Sequence, residues 1–145
     1  MAVSLTDGPF DPYAALAEYQ GQRFPHGGTF GATASFVGTM RDFNDGSSVS
    51  HLVLEHYPGM TERHLERIVA DAAARFGLLE ALVIHRVGAI SPGEAIVLVA
   101  TWSAHRAAAF DACRAIMEDL KAKAPFWKRE TRPDGERWVE HNTPG

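Results

Sequence analysis

A short loop between two apolar segments constrains the fold more than any other feature of the sequence. Residues 81–87 and 94–102 are rich in valine, isoleucine and leucine, and both have the length of a strand. The loop between them contains Ser91, Pro92 and Gly93, which are residues typical of turns. Parallel strands need a long crossover, so a connection this short predicts that the two segments pair antiparallel.

Three segments have helical periodicity, and each is bounded by a capping residue and a breaker. The expected caps are Asp11, Thr61 and Ser103, and the expected ends are residue 20, Gly77 and Pro125. A loop is expected at residues 22–28. The apolar stripes that should face the core are Leu65, Ile68, Val69, Ala72 and Phe76 in the second helix, and Phe110, Cys113, Met117, Leu120 and Ala124 in the third.

Alternating apolar residues indicate further strands. They are expected at residues 30–38, 49–57 and 138–139, with a turn at residues 44–47. Paired strands separated by helices favour an α+β fold, in which helices pack on a mainly antiparallel sheet. We therefore predict an α/β hammerhead-like single domain that spans residues 1–145.

Composition restricts the kind of protein and the kind of binding site. The start of the chain lacks the pattern of a signal peptide and no apolar run is long enough for a membrane span, so a soluble, cytoplasmic protein is expected. The single cysteine, Cys113, excludes an internal disulfide, and it lies on an apolar helix stripe, where we expect it to be packed rather than reactive. The net charge is −4, so any anion site must be a local concentration of basic residues.

Two segments have such a concentration. Ser103-Ala104-His105-Arg106 lies where a strand runs into a helix, and the N-terminus of a helix attracts anions. In residues 121–130, a bend at Pro125 would bring Lys128 back toward Lys121, with Phe126 and Trp127 shielding the site. Solvated helix ends remain the alternative in both cases, because cationic residues suit a helix C-terminus and charge runs usually face water.

Arg41 is a third candidate, because it follows the end of a predicted strand and its guanidinium suits a phosphate. Other polar residues have simpler explanations. His56 and His85 lie in predicted strands, where a polar side chain with its hydrogen bonds satisfied is the expected state. The histidines lack zinc-ligand spacing, and no catalytic triad, P-loop or dinucleotide fingerprint is present, so neither a metal nor a cofactor is expected.

Five segments, taken in chain order, resemble the large subunit of molybdopterin synthase. The longest and most specific are Leu-Glu-His-Tyr-Pro-Gly-Met at residues 54–60 and Lys-Ala-Pro-Phe-Trp-Lys-Arg-Glu at residues 123–130. The others are residues 36–41, 85–88 and 103–106, so that the resemblance covers about residues 30 to 140. In the family pattern more basic residues follow Trp138 and Val139, and we assign no site residue to that region.

The resemblance implies a sulfurtransferase. In this family a small ubiquitin-like subunit carries a C-terminal Gly-Gly thiocarboxylate, and its tail inserts into the large subunit. Two sulfurs pass in turn to cyclic pyranopterin monophosphate and form the molybdopterin dithiolene. Two large subunits form a homodimer, and one small subunit on each outer end completes a heterotetramer.

The resemblance also implies the site residues. Lys121 and Lys128 match the catalytic lysines, and the matching positions around the substrate are Thr39, Met40, Arg41, His105, Arg106, Arg129 and Glu130. A lysine among other cations loses its proton more easily, so we assign the attack and the proton transfers to Lys121, and substrate binding and carbonyl polarisation to Lys128.

Three other functions remain open at this point. The same cations would suit a non-catalytic module that binds a phosphorylated ligand or a protein tail. Residues 121–132 would also suit a nucleic acid, with Phe126 and Trp127 for stacking, although the acidic net charge argues against it. A phosphate-ester hydrolase is disfavoured, because neither a metal-ligand set nor a nucleophile is visible.

Overall fold

The computed structural model describes residues 1–44, 47–48, 50–133 and 135–139. The helices are α1 (Pro12–Arg23), α2 (Met60–Phe76) and α3 (Arg106–Lys123). The strands are β1 (Ala2–Thr6), β2 (Ala32–Thr39), β3 (Phe43–Asn44), β4 (Ser47–Ser48), β5 (His51–His56), β6 (Glu80–Arg86), β7 (Gly88–Ile90), β8 (Ala95–Ser103), β9 (Phe126–Arg132) and β10 (Gly135–Trp138). The middle of the predicted turn at 44–47, residue 49 and the chain after Val139 lie outside the described residues.

The strands form two four-stranded sheets and one short hairpin. The first sheet has the order β1-β6-β8-β2, the second has the order β10-β9-β5-β7, and β3 pairs with β4. The predicted antiparallel pairing of β6 with β8 is confirmed, with Val83 opposite Val99. Only β1, which runs parallel to β6, departs from antiparallel pairing among the described strands. The predicted α+β class with a mainly antiparallel sheet is therefore confirmed.

Both faces of the first sheet are covered by helices. Ala81, Val83, Val97 and Val99 pack with α2 and α3 in the main core, whereas Leu82, Leu98, Ala100 and Trp102 face α1. This two-sided burial explains why β6 and β8 read as nearly continuous apolar runs in the sequence. No described helix combines the length and apolarity that crossing a membrane requires.

The helix starts differ from the sequence-based prediction at two of three places. Asp11 caps α1 as expected, because its Oδ1 accepts the Tyr13 N–H at 3.0 Å. α1 runs three residues beyond the predicted end, into the expected loop. The prediction of Thr61 as a cap was wrong, since α2 is capped at Gly59, and the Glu62 carboxylate accepts the Gly59 N–H at 3.1 Å. Similarly, Ser103 ends β8, and the N-cap of α3 is His105.

The buried stripe of α3 also differs from the prediction, because Phe110, Met117 and Ala124 are not among its buried residues. Phe110 was predicted to be buried but is 66% exposed. The buried stripe is Ala109, Ala112, Cys113, Ile116 and Leu120. Phe110, Met117 and Lys121 lie on a neighbouring flank, because residues at spacings of four and seven share one side of a helix. This flank of α3 lines the cavity described below.

Candidate active site

A cavity of about 1020 Å³ opens between α3, the second sheet and the free edge of the first sheet. Consecutive residues 34–41 all line this cavity. Side chains alternate between the two faces of a strand, so the cavity must run along the open edge of β2, which is the last strand of its sheet. Six of the nine site residues predicted from the sequence line it: Thr39, Met40, Arg41, Lys121, Lys128 and Glu130.

The two lysines predicted to be catalytic meet across the turn between α3 and β9. Lys121 lies in the last turn of α3, Ala124 leaves the helix in an extended conformation, and Lys128 lies two residues into the returning strand after Phe126. The Lys121 and Lys128 side chains are close enough to share a hydrogen bond. The predicted bend at Pro125 therefore brings Lys128 back toward Lys121.

The pKa of Lys128 is lowered to about 8. Burial is the largest cause, because it disfavours the charged ammonium, and the charge and hydrogen bond of Lys121 act in the same direction. The negative charge of Glu130 opposes them and raises the pKa. Lys128 is thus a lysine that exchanges its proton near neutral pH, as catalytic acids and bases need to do.

The alternation of β9 separates the predicted residues into two sets. Phe126, Lys128 and Glu130 face the cavity. Arg129 projects from the other face, where its Nη1 lies 3.8 Å from the Glu55 carboxylate and its guanidinium lies over the Trp138 ring at 5.7 Å. The structure therefore does not bring Arg129, which was predicted to bind substrate, into the cavity.

Trp127 shares the outer face of β9 with Arg129. It is 40% exposed and packs edge-on against Tyr57, with ring centroids 4.5 Å apart. The expectation that Trp127 shields the site was wrong, whereas Phe126 does line the cavity. Side chains on neighbouring positions of a strand cannot both face the same side.

Glu130 is held in place by an arginine from its own strand. The Glu130 side chain is buried, and its Oε2 accepts a hydrogen bond from Arg132 Nε at 2.9 Å. A buried pair of opposite charges is a rigid element, and here it places a carboxylate beside the Lys128 ammonium.

The end of β2 positions Arg41 at the rim of the cavity. Met40 is buried against the second sheet, and its backbone N–H and carbonyl bond to the loop before β8, at Glu94 and Gly93. These bonds extend the pairing of β2 with β8 beyond the shift in register between Gly38 and Thr39. The side chain of Arg41 is exposed and borders the cavity, where its guanidinium can meet an incoming anion.

His105 and Arg106 do not share this cavity with the lysines of their own chain. Both are exposed at the start of α3, and Lys121 lies in the last turn of the same helix. At about 1.5 Å per residue, the two ends are about 22 Å apart along the helix axis. The basic segment at residues 103–106 is thus separate from Lys121, Lys128 and Arg41 within one chain.

His85 lines the cavity, although its place in the sequence predicted only a strand residue with its hydrogen bonds satisfied. It is 9% exposed, and burial, followed by the charges of Lys128 and Lys121, lowers its pKa to about 4. A hydrogen bond to the Arg86 carbonyl acts in the opposite direction. His85 lies two residues after Val83 and four after Ala81, so its ring lies on the same inner face of β6 as these core residues. This spacing is the signal in the sequence that could have identified His85.

Cys113 borders the same cavity but is poorly suited to carry sulfur. Burial raises the pKa of its thiol to about 11, so the reactive thiolate is scarce at neutral pH. Among the described residues, no group of three His, Cys, Asp or Glu side chains could hold a metal ion. The groups that the cavity offers include two adjacent amines, an arginine at the rim and a buried carboxylate. This set can bind an anion and move a proton.

Comparisons with known proteins agree on one family. The family model described as MoaE protein matches residues 5–123. A molybdopterin synthase catalytic subunit from Pseudomonas aeruginosa is 49% identical over 140 residues, which are 97% of this chain and 91% of that protein. The solved structure of the molybdopterin biosynthesis MoaE protein from Burkholderia ambifaria is 44% identical, covers 100% of this chain and 93% of that one, and has a TM-score of 0.81.

A more distant structure shares the fold. It is a chain from the protein–protein complex of subunits 1 and 2 of the molybdopterin-converting factor from Helicobacter pylori. It is 22% identical, covers 97% of this chain and 92% of that one, and has a TM-score of 0.79. At that identity the likeness shows the fold alone.

Proposed function

The chain belongs to the MoaE family of molybdopterin synthase catalytic subunits, and from this membership we propose that its cavity is where sulfur is transferred to a phosphorylated pterin. The substrate would be cyclic pyranopterin monophosphate and the product the molybdopterin dithiolene. The sulfur would arrive as the thiocarboxylate at the Gly-Gly end of a small ubiquitin-like subunit. The enzyme would act in the cytoplasm.

The observation that carries this proposal is the pair formed by Lys121 and Lys128 at the cavity wall. With a pKa of about 8, about one-tenth of the Lys128 side chains are uncharged at pH 7. An uncharged amine can take a proton or attack a carbonyl carbon, whereas the positive charge of Lys121 can stabilise negative charge that develops beside it.

This proposal reverses the division of roles expected from the sequence. From the sequence we expected proton transfer by Lys121 and substrate binding by Lys128. Because burial and the neighbouring Lys121 lower the pKa of Lys128, we assign proton transfer to Lys128. Lys121 and Arg41 would bind the anionic parts of the substrate and the tail, and Thr39, Met40 and Glu130 would line the pocket around them.

The sulfur source would be a second protein. Sulfur chemistry without an outside donor needs a reactive cysteine, and burial makes the Cys113 thiol unreactive. The open edge of β2 offers a route along which an extended tail can reach the lysines. The relative that is 49% identical is named a catalytic subunit, a name that implies a further subunit, and we propose a small subunit as the partner of this chain as well.

His105 and Arg106 would act in the site of a second copy. They are exposed and lie about 22 Å from the lysines of their own chain, so a role in substrate binding requires a homodimer that places them at the neighbouring cavity. With one small subunit on each outer end, the assembly would be a heterotetramer. Arg129, which lies on the outer face of β9, is left as a candidate for contact with the partner subunit.

The proposed reaction is tested by reconstitution. The purified chain is mixed with a thiocarboxylated small subunit and the pterin precursor, and the dithiolene product is measured by mass spectrometry. Lys121→Ala and Lys128→Ala should each lower product formation by about 100-fold or more, because each removes a group that acts on the reacting atoms. Lys128→Arg should also be inactive, since guanidinium keeps the charge but does not release a proton.

Lys123→Ala is the matched control for this experiment. Lys123 lies on α3 between the two lysines in sequence, but its side chain is 65% exposed and pairs with Asp119 at 3.3 Å. Its removal should leave turnover unchanged. Near-normal turnover in Lys128→Arg would instead mean that Lys128 contributes only a positive charge, and it would remove Lys128 from proton transfer.

A further inference from the structure

His85 is a polar side chain of the cavity wall to which the proposed function gives no role. It projects from the same face of β6 as Ala81 and Val83, both of which are fully buried in the main core. A histidine at that position interrupts an otherwise apolar face at the point where the core meets the cavity. Burying a polar ring is unfavourable unless its nitrogens have partners.

One ring nitrogen of His85 has a partner that determines the tautomer. Nδ1 lies 2.8 Å from the backbone carbonyl oxygen of Arg86. A carbonyl oxygen only accepts hydrogen bonds, so Nδ1 must carry the proton and donate it. In the neutral ring, Nε2 then has no proton and is a hydrogen-bond acceptor.

The orientation of the ring is determined by Phe126. The two rings stack with centroids 4.2 Å apart and planes 20° apart. Phe126 and Lys128 are two positions apart on β9, so their side chains project from the same face of that strand. The stack therefore holds the imidazole beside Lys128, and the charges that act on it are those of Lys128 from β9 and Lys121 from α3.

We propose that His85 is a positioning residue for this lysine pair, and that its Nε2 accepts a hydrogen bond from the Lys128 side chain and determines where that nitrogen lies in the cavity. The proposal rests on the role given above to Lys128. An imidazolium at this position would be a third cation beside two lysines, with no acceptor to offer. Burial prevents that state, because it keeps the ring neutral down to about pH 4, far below the range in which Lys128 titrates.

The first test is made on the unmodified chain. Two-bond correlations in ¹⁵N NMR of histidine-labelled protein distinguish the Nδ1–H tautomer, the Nε2–H tautomer and the imidazolium. His85 should be a neutral Nδ1–H ring between about pH 6 and pH 9. An Nε2–H tautomer, or a ring that is protonated at about pH 6, would overturn the proposal without any substitution being made.

The second test measures the pKa of Lys128, which depends on the hydrogen bonds that its side chain makes. The whole chain has three lysines, Lys121, Lys123 and Lys128, so labelling lysine with ¹³C gives three Cε signals that can be followed through a pH titration. His85→Phe keeps the stack on Phe126 but removes the acceptor, and it should lower the pKa of Lys128 by at least about half a unit, because a hydrogen bond to the ammonium form is lost. His85→Gln, whose amide oxygen can replace Nε2, should return the midpoint toward its original value.

Two further measurements distinguish the positioning of Lys128 by His85 from a general effect of the substitution on the fold. His51→Phe makes the same change at an exposed histidine of β5 and should leave the Lys128 titration unchanged. In the reconstituted reaction, His85→Phe should lower kcat by about 10- to 100-fold with little change in KM, since a misplaced group slows the chemical step. A folded His85→Phe chain in which Lys128 titrates as before would overturn the proposal, and because the titration needs neither substrate nor partner, that result would leave the proposed function standing.

Discussion

Lys128 is the residue whose environment separates this site from an ordinary cationic surface. Its ammonium is disfavoured by burial and by Lys121, and it is favoured by Glu130, which Arg132 holds in place. The first two effects prevail, so the pKa falls to about 8. A surface lysine with an ion pair, as at Lys123, has no such environment and serves only as a point charge.

The pH dependence of turnover follows from this balance. With Lys128 as the base, the rate should rise with pH, reach half of its maximum near pH 8 and level off above about pH 9, because the active form is the one without the proton. Lys121→Met removes the neighbouring charge and hydrogen bond, so the cation is less disfavoured and the pKa of Lys128 should rise toward its ordinary value. The titration of the ¹³Cε signal of Lys128 measures this shift even though the variant is inactive.

Lys123→Met provides the comparison for that measurement. The exposed side chain of Lys123 is paired with Asp119, and its loss should leave the Lys128 midpoint where it was. An equal midpoint in the Lys121→Met chain and the unmodified chain would mean that Lys121 does not act on Lys128, and that burial alone lowers the pKa against the opposing charge of Glu130.

At the scale of elements, the site depends on the junction between α3 and β9. The helix ends at Lys123, and the strand begins at Phe126 with only Ala124 and Pro125 between them. Thr61, fully buried near the start of α2, ties this junction to a second element. Its hydroxyl accepts the Tyr57 N–H at 3.0 Å and donates to the Pro125 carbonyl at 3.2 Å. The start of α2 thus holds the turn that places Lys128 opposite Lys121.

Thr61→Val should loosen this junction. The substitution keeps the shape of the side chain but leaves the Tyr57 N–H and the Pro125 carbonyl without their partner, which should cost about 1–3 kcal/mol of unfolding free energy. Because the turn is then less firmly held, turnover in the reconstituted reaction should also fall. Denaturant unfolding at constant pH measures the first effect.

Thr33→Val tests whether the loss is specific to the junction. Thr33 lies on β2 and is exposed, so the same change there should alter the unfolding free energy by less than about 0.5 kcal/mol. Equal stability in the Thr61→Val and Thr33→Val chains would show that the hydroxyl of Thr61 contributes nothing to the junction.

At the scale of the whole molecule, the basic residues are divided between the two ends of α3. Lys121 and Lys128 lie at the C-terminal end, beside the cavity, whereas His105 and Arg106 are exposed at the N-terminal end. A rigid helix cannot bring its own ends together. In a symmetric dimer, however, a two-fold axis can place the start of one α3 beside the end of the other.

Mixing two inactive variants tests this arrangement. Lys128→Ala and Arg106→Ala chains are unfolded together and refolded, so that mixed dimers form. If Arg106 acts in the partner's cavity, each mixed dimer has one intact site, and random pairing should restore about one quarter of the full activity. If each chain uses only its own residues, every site in the mixture lacks one group and activity stays at the level of the variants.

Some of the fold and part of the site were predictable because their signals are local. The loop at Ser91-Pro92-Gly93 required antiparallel pairing of β6 with β8, and Asp11 and Gly77 marked helix ends, since each depends only on nearby residues. β1, β7 and β9 were missed, as were the short strands β3 and β4. β1 gains its hydrogen bonds from β6, which lies 80 residues further along the chain, and no local pattern in residues 2–6 indicates that partner.

The sequence by itself determined the α+β class, the family and the bend at Pro125 that returns Lys128 toward Lys121, since periodicity, motifs and proline act over short spans of chain. The tertiary structure alone decided that Arg129 turns away from the cavity, that His85 lines it and that Lys128 has the lowered pKa. These properties depend on which face of a strand is covered and how deeply. Burial and charge proximity are set by residues distant in sequence, and they appear only when the sheets and helices pack.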